Sequence, residues 1–160
     1  MKILNQAKGI KLLLVFATIL FFGSFTPSND ANELKWLDWN TGYPLAKKLN
    51  KIILVDAYTD WCGWCKKMDR DTYTNADIIK ALNKDFVVIK FNPELENIIY
   101  ELDGNKISGR ELFGQLTQGK STGFPTTYFI QPNKKQIQIA AGYLGPDDFK
   151  KVLAQALSMQ

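Results

Sequence analysis

Histidine is absent from all 160 residues. Its absence excludes Ser-His-Asp and Cys-His nucleophilic catalysis, His-ligated zinc, and haem attachment through a C-x-x-C-H segment. Cysteine is scarce, with only Cys62 and Cys65. Two thiols cannot build a disulfide framework or a four-cysteine zinc site, so they act as one pair. Charge of one sign is also lacking. Lys2, Lys8 and Lys11 precede Thr26, where there is no acid, leaving 17 basic against 16 acidic residues beyond it. The pI of about 9.0 therefore reports mainly on the amino-terminal segment. A nucleic-acid footprint needs a clustered basic face. The pairs Lys47-Lys48, Lys66-Lys67 and Lys134-Lys135 are short and scattered, so no nucleic-acid partner is expected.

What is present first is a leader pattern. The three lysines flank an apolar run at residues 12–22, broken only by Thr18, and small and polar residues follow from Gly23 to Asn32. A membrane-crossing helix needs about 20 apolar residues. The run is shorter, and its layout is that of a secretory signal peptide. We read residues 1–26 as this signal, with cleavage between Gly23 and Ala31 or retention as a membrane anchor. No cysteine follows the run, which excludes a bacterial lipoprotein anchor. The expected location is periplasmic or secreted. Residues 33–160 form the expected domain, with hydrophobic (46%) and charged (22%) fractions close to globular values.

Along that domain, residues 34–39 predict a strand, and residues 41–50 a helix capped by Thr41. Residues 51–58 contain Ile-Ile-Leu-Val and predict a strand buried on both faces. A helix is expected from Cys62 to Asp71 and another over residues 75–83. A second buried strand is expected over residues 86–91. Asn92-Pro93-Glu94 combines a cap residue, proline at the first helical position and an acid, and predicts a helix start. Residues 126–131 and 136–141 read as a hairpin, and Pro146 opens a last helix. Two apolar strands separated by helices imply parallel pairing, to which the hairpin adds antiparallel strands. The class is α/β.

The chemistry is concentrated in Trp61-Cys62-Gly63-Trp64-Cys65-Lys66, between a buried strand and a helix. There the first sulfur lies near unpaired backbone N–H groups and the positive end of the helix dipole, which favour thiolate. The second cysteine is one turn on and can attack a mixed disulfide. Chance core cysteines would not choose this junction, a zinc site would lack its other ligands, and a disulfide across two residues would constrain little. Redox use is favoured, with Cys62 the more exposed and more acidic thiol. Asp56 ends the apolar stretch Ile52-Ile53-Leu54-Val55. A carboxyl there, with no base in its own strand after Lys51, should have a raised pKa suited to taking a proton.

The stretch from Val55 to Met68, the segment Gly123-Phe124-Pro125-Thr126-Thr127-Tyr128-Phe129, and Ala141-Gly142-Tyr143 resemble the thioredoxin family in this order. The resemblance spans roughly residues 34–158. It is strongest to exported bacterial thioredoxin-like proteins and to the C-terminal domain of the membrane thiol:disulfide interchange protein. It implies a thioredoxin fold, a central mixed β-sheet flanked by helices. It implies Cys62 as nucleophile, Cys65 as resolving thiol and Asp56 as the buried acid beneath them. Pro125 would be cis and set the Phe124 backbone against the site. Trp61 would shield the site, or else pack in the core. Gly63 and Trp64 complete the implied substrate-contacting set. The activity implied is thiol–disulfide exchange, with the Cys62–Cys65 pair as the only redox centre and no other cofactor or metal. The implied partners are disulfide-containing exported proteins and a membrane thiol electron donor.

The chain departs from the family in its Gly-Trp dipeptide between the cysteines and in having no histidine to stabilise the Cys62 thiolate. A less stabilised reduced form is less oxidising, which favours a reductase. The alternatives are an oxidase or isomerase, or a peptide-binding or chaperone-like module with an idle disulfide. Residues 92–122 exceed a minimal thioredoxin and suggest an added helical segment near the site. Within them, residues 114–121 match the phosphate-loop pattern G-x-x-x-x-G-K-[ST]. That loop needs a buried strand before it and a helix starting at the lysine. Neither fits, and no nucleotide partner is expected.

Overall fold

The computed structural model describes residues 32–120 and 122–158; the expected signal segment lies outside them. The chain runs α1 (Trp39–Leu49), β1 (Ile52–Ala57), α2 (Gly63–Asp71), α3 (Ala76–Asp85), β2 (Phe86–Phe91), β3 (Tyr100–Leu102), β4 (Asn105–Ile107), α4 (Gly109–Thr117), β5 (Thr126–Gln131), β6 (Gln136–Ala141) and α5 (Pro146–Leu157). The main sheet has the order β2-β1-β5-β6. β1 and β2 are parallel, while β1–β5 and β5–β6 are antiparallel. This is the mixed sheet expected from two buried strands and a terminal hairpin.

Both faces of β1 are covered, which explains its unbroken apolar run. On one face Ile53, Val55, Val87 and Ile89 pack against Trp39, Tyr43 and Ala46 of α1 and Leu112 and Leu116 of α4. On the other, Ile52, Leu54, Phe86 and Val88 meet Met68 of α2, Ile78 and Leu82 of α3, and Phe149 and Leu153 of α5. The approach of α1 to the sheet is set by Gly42, where an added Cβ would lie 2.6 Å from Ile89 Cγ1.

Three local expectations are corrected. Residues 34–39 do not form a strand; Leu37 alone bridges to Ile89 at the outer edge of β2. Thr41 is not the cap of α1. Asp38 is, and Thr41 donates its N–H to Asp38 Oδ1 at 3.0 Å. Asn92 does cap the backbone after it, accepting the Glu94 N–H at 3.0 Å, but only a turn follows. Residues 94–99 are all exposed, Leu95, Ile98 and Ile99 included, so a helix there would have its apolar face unburied. The chain enters the β3–β4 hairpin instead. The only helix among the described residues of 92–122 is α4, opened by a Ser108/Glu111 capping box. The phosphate-loop match straddles the end of α4 and has no buried strand before it.

Candidate active site

The sheet register assembles the site. Phe91 is opposite Ala57, Ala57 opposite Thr126, and Thr126 opposite Ala141. The chain therefore leaves β1, leaves β2, enters β5 and leaves β6 at one edge of the sheet. The segments beginning at Tyr58 and Asn92, ending at Pro125 and beginning at Gly142 converge there. Tyr58 N–H donates to the Phe91 carbonyl at 3.0 Å, and Gly142 N–H donates to the Pro125 carbonyl at 2.8 Å. All three sequence stretches that carry the family resemblance thus meet at this edge.

Cys62 is the N-cap of α2, in an extended conformation, and its Sγ accepts the Cys65 N–H at 3.1 Å. Cys62 and Cys65 are joined as a disulfide. The dipole end of α2 and one of its unpaired N–H groups therefore face the first sulfur. In this oxidised form both cysteines are buried, with relative exposures of 4% and 3%. Exposure does not separate them as the sequence reading expected; position on the helix does.

The dipeptide side chain and its neighbour form two aromatic rims. Trp61 is 69% exposed, so it is not core packing. Its ring stands edge-on to Phe124 at 6.1 Å, and its Nε1 donates to Glu94 Oε2 at 3.0 Å. Trp64, 59% exposed, lies against Tyr143 at 5.5 Å. The Tyr143 hydroxyl donates to Asp71 Oδ2 at 3.2 Å, and the Lys67 ammonium sits over the same ring. Gly63 is exposed, and an added Cβ there would meet nothing. The Phe124–Pro125 peptide is cis, as the resemblance implied, and Pro125 is buried.

Asp56 is buried in the sheet, and burial raises its pKa, the Lys90 charge opposing this. It is not unpaired, contrary to the sequence reading. Lys90, directly opposite it in β2, donates from Nζ to Asp56 Oδ2 and to Asp69 Oδ1 of α2. Burial works against the Lys90 ammonium, but the two carboxylates outweigh it and hold its pKa above the usual lysine value. Trp36, Tyr58 and Tyr73 place their rings 4.8–5.3 Å from the same nitrogen. Asp56 Oδ1 remains buried with no hydrogen-bond partner among the described residues. One oxygen of this carboxyl is thus held by a cation and the other is free to accept a proton. Lys90 and Asp69 are the members of the cluster that sequence reasoning missed. The available signal was register, since Asp56 and Lys90 each occupy the fifth position of an otherwise apolar strand.

No group of three or more potential metal ligands occurs among the described residues. The site is that of a thioredoxin-fold protein with a redox-capable cysteine pair at a helix start. The chain belongs to the Thioredox_DsbH family, described as "Protein of unknown function, DUF255", whose sequence model matches residues 23–158. It is related to the thiol:disulfide interchange protein DsbD of Pasteurella multocida, with 24% identity over 142 residues, 84% of this chain and 22% of that protein. It is also similar to human spermatogenesis-associated protein 20, with 27% identity over 73% of this chain and 14% of that protein. The chain spans less than a quarter of these relatives' lengths. Among solved structures, a DsbH oxidoreductase superposes over the whole chain and 96% of its own, with TM-score 0.59 and 18% identity. The C-terminal domain of Neisseria meningitidis DsbD in its reduced form covers 71% of this chain and 88% of its own, with TM-score 0.53 and 16% identity. Both confirm the fold.

Proposed function

We propose that the protein reduces disulfides of exported polypeptides through Cys62 and Cys65. The observation that carries this reading is the placement of the pair: Cys62 caps α2 with the Cys65 N–H on its sulfur, beside the cis-Pro125 segment, at the edge where four loops converge. In the reduced protein the Cys62 thiolate attacks one sulfur of the substrate disulfide. A Cys62–substrate disulfide forms, and the other substrate sulfur leaves as a thiolate that takes a proton from solvent. Cys65 then loses its proton to the free Oδ1 of Asp56 and attacks Cys62 Sγ. This forms the Cys62–Cys65 disulfide and releases the second substrate thiolate. Two electrons pass from the dithiol to the substrate, and a donor thiol of the membrane restores the dithiol.

The roles of the surrounding residues follow. Trp61, Gly63 and Trp64 form the floor and rims on which the substrate lies, and the Phe124 backbone beside Pro125 aligns it. Export is supported by the leader pattern of residues 1–26. The reductive direction is supported by the lack of a histidine to stabilise the Cys62 thiolate. Reduction of insulin by dithiothreitol tests the activity. The protein should accelerate precipitation of the released chains at catalytic concentration. A rate equal to dithiothreitol alone would contradict the reductase reading.

A further inference from the structure

The loop after β2 is built as a platform. It begins at the same sheet edge as the disulfide, and both ends are pinned. Asn92 and Pro93 are buried, Glu94 N–H bonds Asn92 Oδ1, and the Tyr100 hydroxyl donates to the Asn92 carbonyl at 3.4 Å. At its far end Asn40 of α1 grips the backbone twice, donating to the Ile99 carbonyl at 2.8 Å and accepting the Glu101 N–H at 2.9 Å. Between these anchors residues 94–99 are exposed without interruption, and Leu95, Ile98 and Ile99 are 40%, 40% and 54% exposed. Water-facing aliphatic side chains on a loop held this firmly are not needed for the fold. The loop is tied to the rim of the disulfide by the Trp61–Glu94 hydrogen bond.

Its charge is one-sided. Residues 91–105 contain Glu94, Glu96, Glu101 and Asp103 and no lysine or arginine. Asp103 is taken up by Lys47, but Glu96 forms no ion pair among the described residues. Asp60, next to Trp61, is exposed and adds to the same side. Beyond Trp64 the charge is mixed: Lys66 and Arg70 are exposed on α2, while Lys67 pairs with Asp71 and Asp69 with Lys90. A polypeptide lying across the disulfide meets an acidic, aliphatic wall on the Trp61 side and a surface of mixed charge on the Trp64 side.

We infer that residues 94–99 are a docking surface for the substrate polypeptide, selecting disulfides whose flanking segment carries lysine or arginine together with aliphatic side chains. This rests on the redox reading above and adds the class of substrate to it. Opposite charge on the two surfaces raises encounter rates and fixes the direction in which the chain lies, and burial of the aliphatic side chains slows its release.

The test uses three synthetic peptides with the same internal disulfide, flanked by Lys-Leu, Lys-Ser or Glu-Leu segments, and uncharged hydroxyethyl disulfide as a fourth oxidant. Each is mixed with the pre-reduced protein and the second-order rate is read from single turnovers. The Lys-Leu peptide should react about tenfold faster than the Glu-Leu peptide at low salt, the gap shrinking at about 0.5 M salt as screening sets in. The Lys-Ser peptide should fall in between. In the Glu96→Lys variant the ratio of Lys-Leu to Glu-Leu rates should drop toward one, whereas general damage would slow both peptides and leave the ratio. Equal rates for all three peptides, with hydroxyethyl disulfide still reduced, would overturn the docking surface and leave the redox reading intact. No reaction with any of the four would overturn both.

Discussion

Cys65→Ser is expected to convert the protein into a trap. The Cys62 thiolate still attacks, but nothing within reach resolves the product, so a Cys62–substrate disulfide accumulates and turnover stops after one event. Cys62→Ser is expected to return insulin reduction to background, with no trapped species, because Cys65 lies inside the first turn of α2, away from the cap position that Cys62 holds. The measurement is non-reducing electrophoresis and mass spectrometry after reaction with a disulfide protein, on both variants. The asymmetry comes from the helix. The Cys62 sulfur alone occupies the cap position and faces the Cys65 N–H at 3.1 Å. Trapping through Cys65 in Cys62→Ser, equal to that through Cys62 in Cys65→Ser, would reverse the assignment.

The second large effect is expected at Lys90. Lys90→Met keeps the aliphatic stem among Trp36, Tyr58 and Tyr73 but removes the cation from both Asp56 and Asp69. Breaking one partner out of a buried pair costs about 3–5 kcal/mol when the remaining charge cannot escape. Asp56 can escape by binding a proton, so the loss depends on pH. Burial already raises its folded-state pKa above the unfolded value. A raised acid binds its proton more tightly in the folded state, so the stability it contributes is present below the unfolded pKa and lost as pH rises through the folded one. Removing Lys90 raises the folded pKa further. The stability gap between wild type and Lys90→Met should be small near pH 4 and widen toward pH 8, where a loss of about 3 kcal/mol is expected. The pH–rate profile for disulfide reduction should shift to higher pH, since a more basic Asp56 stays protonated longer. Urea unfolding at the two pH values gives the first result and single-turnover rates the second. Parallel unfolding curves and an unmoved profile would reduce Lys90 to a packing residue.

Much of this arrangement was readable before any coordinates. The apolar runs at Ile52–Ala57 and Phe86–Phe91 declared themselves because a doubly covered strand leaves little room for polar residues, and the hairpin Thr126–Gln131/Gln136–Ala141 through the turn Pro132-Asn133-Lys134-Lys135 between its strands. The cysteine pair, Asp56 and Pro125 were legible from local order along the chain. What escaped were partnerships across it. Lys90 sits 34 residues from Asp56, and only the parallel register brings them together. Glu94 gains its role from the Trp61 indole, 33 residues away. The helix expected after Pro93 failed because a good cap can only start a helix; an apolar face must then be buried to keep it, and Leu95, Ile98 and Ile99 find nothing to pack against. The α4 start was recoverable, since Ser108 and Glu111 have the S-x-x-E spacing of a capping box.

The reduction potential of the Cys62–Cys65 couple, equilibrated in glutathione or dithiothreitol buffers and read by thiol labelling, bears most directly on what the protein does. Without a histidine beside Cys62 the reduced form keeps only the stabilisation of the helix start, and a potential near that of thioredoxin, about −270 mV, is expected of a reductase. A potential at or above about −180 mV, in the range of isomerases and oxidases, would contradict the reductive direction and make the protein a donor of disulfides.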